Sequence, residues 1–361
     1  MMRQSLGNET LAIRVPVHMA ERTIRVLRKL QLLDDKFEFG RSNQTLIIPI
    51  IRELSESEAP QIAEERDGIA VERTILTEAR RRPRDLREAM DKRLPQAMIS
   101  KLPRSFDIIG DIAILELAHE LDQFAHSIGA GVLNLSPHLR LVLRKTSDTS
   151  GTFRTRTFDT IAGTGSTETV YHEFSNLLRL DVASVYFSPR LSHERMRVAS
   201  QVNERERVID MFAGVGPYSI LIAKTQPSSM VYSIDTNPEA FRYLRENVLL
   251  NHVADRVVPI LGDARKIVAR SLKNVADRVI MNLPSESSHF MDVALGALQR
   301  SGGIIHYYAF ASRDETIGNI TDSIREEIAR LGRRVRSLPF AGVLKEISPN
   351  RIQVGLDLVV Q

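Results

Sequence analysis

The chain has 361 residues, 43% of them apolar and 26% charged, with 49 basic against 45 acidic residues and a net charge of +4. That length allows two or three domains with ample core, and the composition is ordinary for a globular protein. The absence of cysteine excludes disulfides, thiolate zinc sites and cysteine nucleophiles, and no apolar run approaches the roughly 20 residues that span a bilayer.

In chain order, residues 11–15 predict a strand, residues 20–30 a helix, and a further strand pair ends at residues 46–50. Together they read as a complete small α/β unit. Residues 53–68, charged and rich in Ser and Glu, read as a linker. The first domain plus linker is therefore placed at residues 1–66. A middle α/β domain is placed at 67–183. It opens with a basic helix over 75–92, whose Arg80, Arg81, Arg82, Arg84 and Arg87 suit either nucleic-acid phosphates or solvent. A strand around 108–115 and a helix over 118–126 follow. Two-residue alternation over 168–185 puts Leu178, Leu180 and Val182 on one face and Arg179 and Asp181 on the other, which is strand behaviour.

Residues 184–361 hold the most informative segment. An apolar strand ends in Asp210, and a loop carrying Phe212, Gly214 and Gly216 opens onto a helix-like run over 219–224. Glycine lets backbone approach a ligand closely, and the helix behind it offers unpaired amides and a positive dipole end. A dinucleotide fingerprint would want a third glycine where Ser219 stands, and Asp210 would repel a pyrophosphate. Beside the ammonium of S-adenosylmethionine, or a water serving it, the same carboxylate is welcome. Three more strands run into Asp235, Asp263 and the turn Asn282-Leu283-Pro284, suited in order to ribose, adenine and a polar edge. Open α/β sheets bind ligands at such strand ends, so S-adenosylmethionine is the expected cofactor. Late strands are expected near 303–308 and 351–357.

Just ahead of this sheet, Arg154 and Arg156 lie on one side of an extended stretch, and Tyr186, Phe187, Arg190, Glu194, Arg195 and Arg197 follow closely on one another. One reading is a solvated helix start, with Ser192 as N-cap and Arg195 and Arg197 facing water. The other is a site for a flipped-out base, with aromatics to stack and arginines for phosphates.

The order of Phe-Arg-Thr-Arg at 153–156, Val-Tyr-Phe-Ser-Pro-Arg-Leu at 185–191 with Glu194 after it, Asp-Met-Phe-Ala-Gly-Val-Gly-Pro-Tyr at 210–218 and Asn-Leu-Pro at 282–284 resembles the archaeal and eukaryotic tRNA (guanosine-37 N1)-methyltransferases. The resemblance covers essentially the whole chain. It implies a Rossmann-like class I methyltransferase sheet, a mixed α/β middle domain and a small N-terminal α/β domain that senses the outer corner of tRNA. By position, it implies Glu194 as general base on guanine N1 and Arg154 as the contact to O6. Tyr186, Asn282 and Pro284 would shape the base and methyl pocket, Asp235 and Asp263 would hold ribose and adenine, and Gly214 and Gly216 would form the glycine loop. Asp210 and Phe212 belong beside the cofactor, and Arg156, Arg190 and Arg195 on the tRNA side.

These roles are chemically coherent. Guanine N1 is protonated at neutral pH and has no lone pair to offer, so a base must remove the proton while a cation stabilises the charge displaced onto O6. The expected partner is tRNA, through its anticodon loop and outer corner. The protein is expected to be a cytoplasmic monomer with no membrane contact and no metal. Rival readings are a wyosine-pathway relative (an aminocarboxypropyltransferase or a bifunctional methyltransferase), a tRNA-binding protein without chemistry, and a dinucleotide-dependent oxidoreductase. Asp107 and Asp111 read as turn and strand-edge residues, and Ser288-His289 lacks the third group a nucleophile pair needs.

Overall fold

A computed structural model describes residues 8–42, 44–62, 69–78, 83–147, 151, 153 and 155–361. The chain divides into two compact units, Met1–Arg84 and Asp85–Gln361.

In the first unit, β1 (Asn8–Pro16), α1 (Ala20–Lys29), β2 (Gly40–Ser42), β3 (Thr45–Pro49), α2 (Ala59–Ile62) and β4 (Ala70–Leu76) follow in sequence. The sheet order is β2-β3-β1-β4. Ile13 and Val15, two residues apart on β1, face the same core as Leu27 of α1 and Ile48 of β3, as a strand's period of two requires. Strand β4 corrects the sequence reading. It pairs antiparallel with β1, Asn8 opposite Leu76 through Arg14 opposite Ala70. Residues 53–68 therefore join two strands of one sheet rather than two domains, and the unit runs past residue 66.

The single basic helix expected over 75–92 is not formed. Its first residues belong to β4, and Pro83 lacks the N–H that a helix interior needs. The helix α3 (Leu86–Met90) starts afresh at Asp85, whose side chain accepts from the Glu88 N–H at 2.8 Å. Arg80, Arg81 and Arg82 lie outside the described residues.

After α3 and α4 (Gln96–Ile99) come β5 (Asp107–Ile109), β6 (Ile112–Leu115), α5 (Ala125–Leu135), β7 (Leu141–Lys145) and β8 (Phe158–Gly163), whose sheet order is β5-β6-β7-β8. The strand expected over 108–115 is a hairpin. It folds back at Gly110, at φ +59°, where a side chain would collide with Thr169. The helix expected over 118–126 is a 3₁₀ turn, His119–Phe124, that leads into the later α5. Residues 168–185 likewise hold two strands, β9 (Glu168–Glu173) and β10 (Asn176–Asp181), turning through Phe174 and Ser175 at positive φ.

The remainder is α6 (Ser192–Ala199), β11 (Arg207–Asp210), α7 (Pro217–Thr225), β12 (Met230–Asp235), α8 (Pro238–Leu250), β13 (Val257–Leu261), α9 (Ala264–Ile267), β14 (Arg278–Met281), α10 (Met291–Ala297), β15 (Gly303–Ser312), α11 (Ile317–Arg330), β16 (Val335–Ser348) and β17 (Arg351–Val360). The seven strands order as β13-β12-β11-β14-β15-β17-β16. The first five run parallel, while β17 is antiparallel to both β15 and β16. Val208, Ile209, Val279 and Ile280 are all buried, which fits central strands covered on both faces. The strand order reverses beside β11, so its carboxyl end is the switch point where such sheets take ligands. Among the described residues, no helix is long and apolar enough to cross a membrane.

Candidate functional site

Asp210 closes β11, level with Ser233 of β12 and Ile280 of β14. Asp235 closes β12, and Asn282 directly follows β14. Asp235 accepts from the Gly214 N–H at 2.7 Å and the Asn237 N–H at 2.8 Å, so it ties the glycine loop to the neighbouring strand end.

The two loop glycines have different reasons to be glycine. Gly216, at φ +90°, would push a Cβ to 2.5 Å from Leu244 Cδ1. Gly214, at φ +56°, would meet nothing nearer than the Tyr186 carbonyl oxygen at 3.9 Å. The first is closed by packing, whereas the second borders an open cradle. Pro217 then starts α7, where its missing N–H costs nothing and the helix amides stay free for a ligand.

Asp210 is 1% exposed. Its Oδ2 accepts from the Ser219 hydroxyl at 2.8 Å, and its Oδ1 is buried without a hydrogen-bond partner. Burial pushes the carboxyl up to about 7; the Ser219 bond and the Phe212 backbone N–H oppose the rise, and the nearby Asp235 adds to it. Burial raises Asp235 as well. A buried carboxylate oxygen with no hydrogen bond, at the strand end that leads into the glycine loop, is short of a cation, and the ammonium end of S-adenosylmethionine fits that need. The serine that replaces the third glycine thus serves Asp210. Asp263 is exposed and caps α9, accepting from the Arg265 N–H at 2.7 Å. Phe212 stands edge-on to Phe290, ring centres 5.1 Å apart.

The segment before α6 crosses this edge of the sheet. Asn237 Nδ2 donates to the Ser184 carbonyl at 3.0 Å, and Tyr186 follows two residues later. Tyr186, Phe187, Arg156, Phe158, Lys145 and Asp107 line a cavity of about 40 Å³. Arg190 is exposed and donates to Asp107 at 2.7 Å. Arg154 lies outside the described residues. The Asn282-Leu283-Pro284 turn is pinned from two sides. Phe310 N–H donates to the Pro284 carbonyl at 3.3 Å, and the Ser287 hydroxyl donates to the Met281 and Leu283 carbonyls at 2.9 and 3.0 Å.

Helix α6 corrects the solvated reading. Ser192 is its first residue rather than its cap, and Leu191 precedes it with no side-chain cap. Glu194 and Arg195 are 6% and 2% exposed. Arg195 donates to both oxygens of Glu173 at 2.7 and 2.5 Å and to the Ser188 carbonyl at 3.2 Å. Its guanidinium is spent inside the protein, which removes it from the tRNA side where it was expected.

Glu194 Oε1 accepts from Tyr308 at 2.7 Å and from Arg197 at 2.8 Å, and Oε2 accepts from Arg197 Nε at 2.7 Å. A carboxylate has roughly four acceptor positions; the one left belongs to Oε2. Tyr308 in turn accepts from Tyr218 at 3.1 Å, and Tyr218 is the second residue of α7. Tyr308 also follows the Met281–Tyr307 pair, which sets it level with Asn282. Two phenols therefore link the carboxylate to the helix behind the glycine loop. The sequence reading leaves out Tyr218, Tyr308, His306 and Asp357 as site residues and takes Arg197 only as solvated or phosphate-binding. The available signal was Asp357, a lone acid in the otherwise uncharged run 352–360, which a buried strand admits only with partners.

Residues 169–335 match the TRM5/TYW2 methyltransferase domain, residues 86–167 the TYW2 N-terminal domain and residues 12–58 the tRNA methyltransferase 5 N-terminal domain. Over 351 residues the chain is 39% identical to the tRNA (guanine(37)-N(1))-methyltransferase Trm5b of Pyrococcus abyssi, spanning 97% of this chain and 99% of that one. A crystal structure of Pyrococcus abyssi Trm5b is similar with a TM-score of 0.71, over 98% of this chain and 99% of that one. A complex of aTrm5 with tRNALeu, 29% identical, gives a TM-score of 0.70 over 97% and 99%. Methanocaldococcus jannaschii TYW2 in complex with AdoMet, 28% identical, gives 0.55 over 71% and 99%. On its sequence, its domain matches and its fold, the chain belongs to the TRM5/TYW2 family of methyltransferases.

Proposed function

We infer that the protein transfers the methyl group of S-adenosylmethionine to N1 of guanosine 37 in tRNA, with Glu194 taking the N1 proton and Arg154 stabilising the charge that moves to O6. The observation that carries the assignment of Glu194 is its buried carboxylate, held by Arg197 and Tyr308 with one acceptor position left on Oε2. The proton leaves guanine N1 for that oxygen, and the freed pair on N1 forms the new bond to carbon. When bound, S-adenosylmethionine supplies a methyl carbon on a sulfonium, whose bond pair stays with sulfur. Arg154 meets the enolate-like oxygen, where a guanidinium counters the developing charge. A positioned base contributes about 10²–10⁴-fold.

Tyr186, Asn282 and Pro284 shape the base pocket in this reading. Asp210, Phe212, Gly214, Gly216, Asp235 and Asp263 hold the cofactor. Arg156 and Arg190 lie towards the anticodon loop, the first unit serves the outer corner of tRNA, and one chain acts alone. The match of residues 86–167 to the TYW2 N-terminal domain, with 36% identity over 200 residues to an aminocarboxypropyltransferase of Methanocaldococcus jannaschii, favours a second reading, aminocarboxypropyl transfer at the same position. The match of residues 12–58 to the tRNA methyltransferase 5 N-terminal domain favours methyl transfer. The test is incubation with labelled donor of two substrates in parallel, an unmodified tRNA transcript and a tRNA carrying the tricyclic wyosine precursor at position 37, followed by nucleoside mass spectrometry. N1-methylguanosine at position 37 supports the reading. An aminocarboxypropyl adduct, or methyl only on a wyosine tricycle, overturns it.

A further inference from the structure

Behind Glu194, Arg197 opens a run of paired charges whose farther members the reaction above leaves unused. Arg197 is gripped from two sides. Its Nε and one terminal nitrogen donate to Glu194, while its two terminal nitrogens donate to Asp357 at 2.6 and 2.9 Å. The Phe340 ring covers the guanidinium face, 3.8 Å from ring centre to carbon. Asp357 is 1% exposed and also accepts from Gln201 Nε2 at 3.0 Å.

His306 completes the array. Its Nε2 lies 2.8 Å from Arg278 and its Nδ1 lies 2.7 Å from Asp357. Arginine can only donate, so Nε2 is the acceptor, and Nδ1 carries the proton that it donates to Asp357. Arg278 is itself closed by Glu206 at 2.7 Å. The histidine is therefore a neutral, single-tautomer support for one carboxylate. Burial lowers its pKa, which agrees with that state. Burial works against the charge on Asp357, yet the bonds from His306 and Arg197 hold its carboxyl well below the usual carboxylate range.

We propose that Asp357, oriented by His306, sets the strength of Glu194 as a base by sharing Arg197 with it. A guanidinium committed to one carboxylate lowers that carboxylate's appetite for a proton; a cation divided between two carboxylates lowers it less. Asp357 is thus a positioning residue that acts through Arg197 and never meets the substrate. The inference rests on Glu194 being the base.

The groups facing Glu194 are Arg197 on its own helix, Tyr308 from β15 and, beyond it, Tyr218 from α7; Asp357 from β17 reaches it through Arg197. Both tyrosines are raised by burial and stay neutral near physiological pH. Asp210, up at about 7, titrates in the working range. Its effect falls on cofactor binding and is removed by saturating donor.

The test is the pH dependence of single-turnover methyl transfer by the full-length protein, with saturating S-adenosylmethionine and a tRNA transcript bearing guanosine 37. Asp357→Asn leaves Arg197 wholly to Glu194. Its acid limb should move to lower pH by about one unit, and its plateau should fall about three- to tenfold. Arg197→Met removes the shared cation and should move the limb the opposite way, which keeps the test alive if Asp357→Asn does not fold. A uniform loss at every pH, with the limb unmoved in the folded variants, overturns the proposal. Glu194→Gln separates the two readings. If it keeps the wild-type limb, Glu194 is not the base; if it loses the limb while Asp357→Asn and Arg197→Met leave theirs unmoved, only the role of Asp357 fails.

Discussion

Tyr308 donates its hydroxyl hydrogen to Glu194 Oε1 at 2.7 Å while accepting from Tyr218 at 3.1 Å. Helix α7 therefore acts on the carboxylate through the β15 phenol. Tyr308→Phe removes the donor and leaves the buried Tyr218 hydroxyl without its acceptor. The expected cost is about 1–3 kcal/mol in urea unfolding, with methyl transfer slowed about tenfold and donor affinity unchanged. A variant equal to wild type in both midpoint and rate would show that this bond orients nothing.

Asp210 gives the site a pH dependence whose sign is fixed by burial. Its carboxyl is up at about 7, so below that value the empty site is increasingly protonated and uncharged. Binding an ammonium group favours the ionised form and must expel that proton. Affinity for S-adenosylmethionine should therefore fall as pH drops through about 7, approaching tenfold per unit. Calorimetric titrations at several pH values check this. The dependence should flatten in Asp210→Asn; a slope that persists there would assign it to another group.

Periodicity and turn chemistry made the methyltransferase sheet legible. The strands β11, β12, β13 and β14 end in or beside Asp210, Asp235, Gly262-Asp263 and Asn282 as expected. The misread stretches share a physical cause. Residues 108–115 and 168–185 each looked like one strand because a hairpin's two arms keep the same alternation. Only Gly110 and the Phe174-Ser175 pair, at positive φ, betray the reversals. The end of β4, Ile75-Leu76, falls inside the helix expected over 75–92 because its partner, β1, lies about sixty residues away in sequence, and pairing over that distance leaves no local mark. Arg195 and Arg197 look solvated because Glu173 and Asp357, which pair with them, come from strands elsewhere in the chain, although Arg197 also pairs with Glu194 on its own helix.

The two loop glycines should fail differently. Gly216→Ala forces a Cβ against Leu244 at φ +90°, which should cost about 1–3 kcal/mol of stability. Gly214→Ala meets only the Tyr186 carbonyl oxygen, at an ordinary contact distance of 3.9 Å and φ +56°, and should lose donor affinity with a smaller change in the denaturation midpoint. Equal effects of both substitutions on both readouts would remove the distinction between a packing glycine and a cradle glycine.

Two nearby arginines separate support from contact. Arg195→Ala strands the buried Glu173 carboxylate and should destabilise the fold by about 3–5 kcal/mol. Arg190→Ala, at an exposed pair with Asp107, should leave stability nearly unchanged. It should instead weaken tRNA binding and reduce the slope of log affinity against log salt by about one. Unfolding curves and salt-titrated binding distinguish them. An unaltered salt slope for Arg190→Ala would remove that residue from the tRNA interface.

The most direct measurement is the single-turnover rate of methyl transfer by Glu194→Gln, taken with saturating S-adenosylmethionine. A near-isosteric amide keeps the shape of the site but cannot accept the proton from guanine N1. The rate should fall at least about a hundredfold while the affinity for S-adenosylmethionine stays at the wild-type value. A rate close to wild type would contradict proton removal by Glu194.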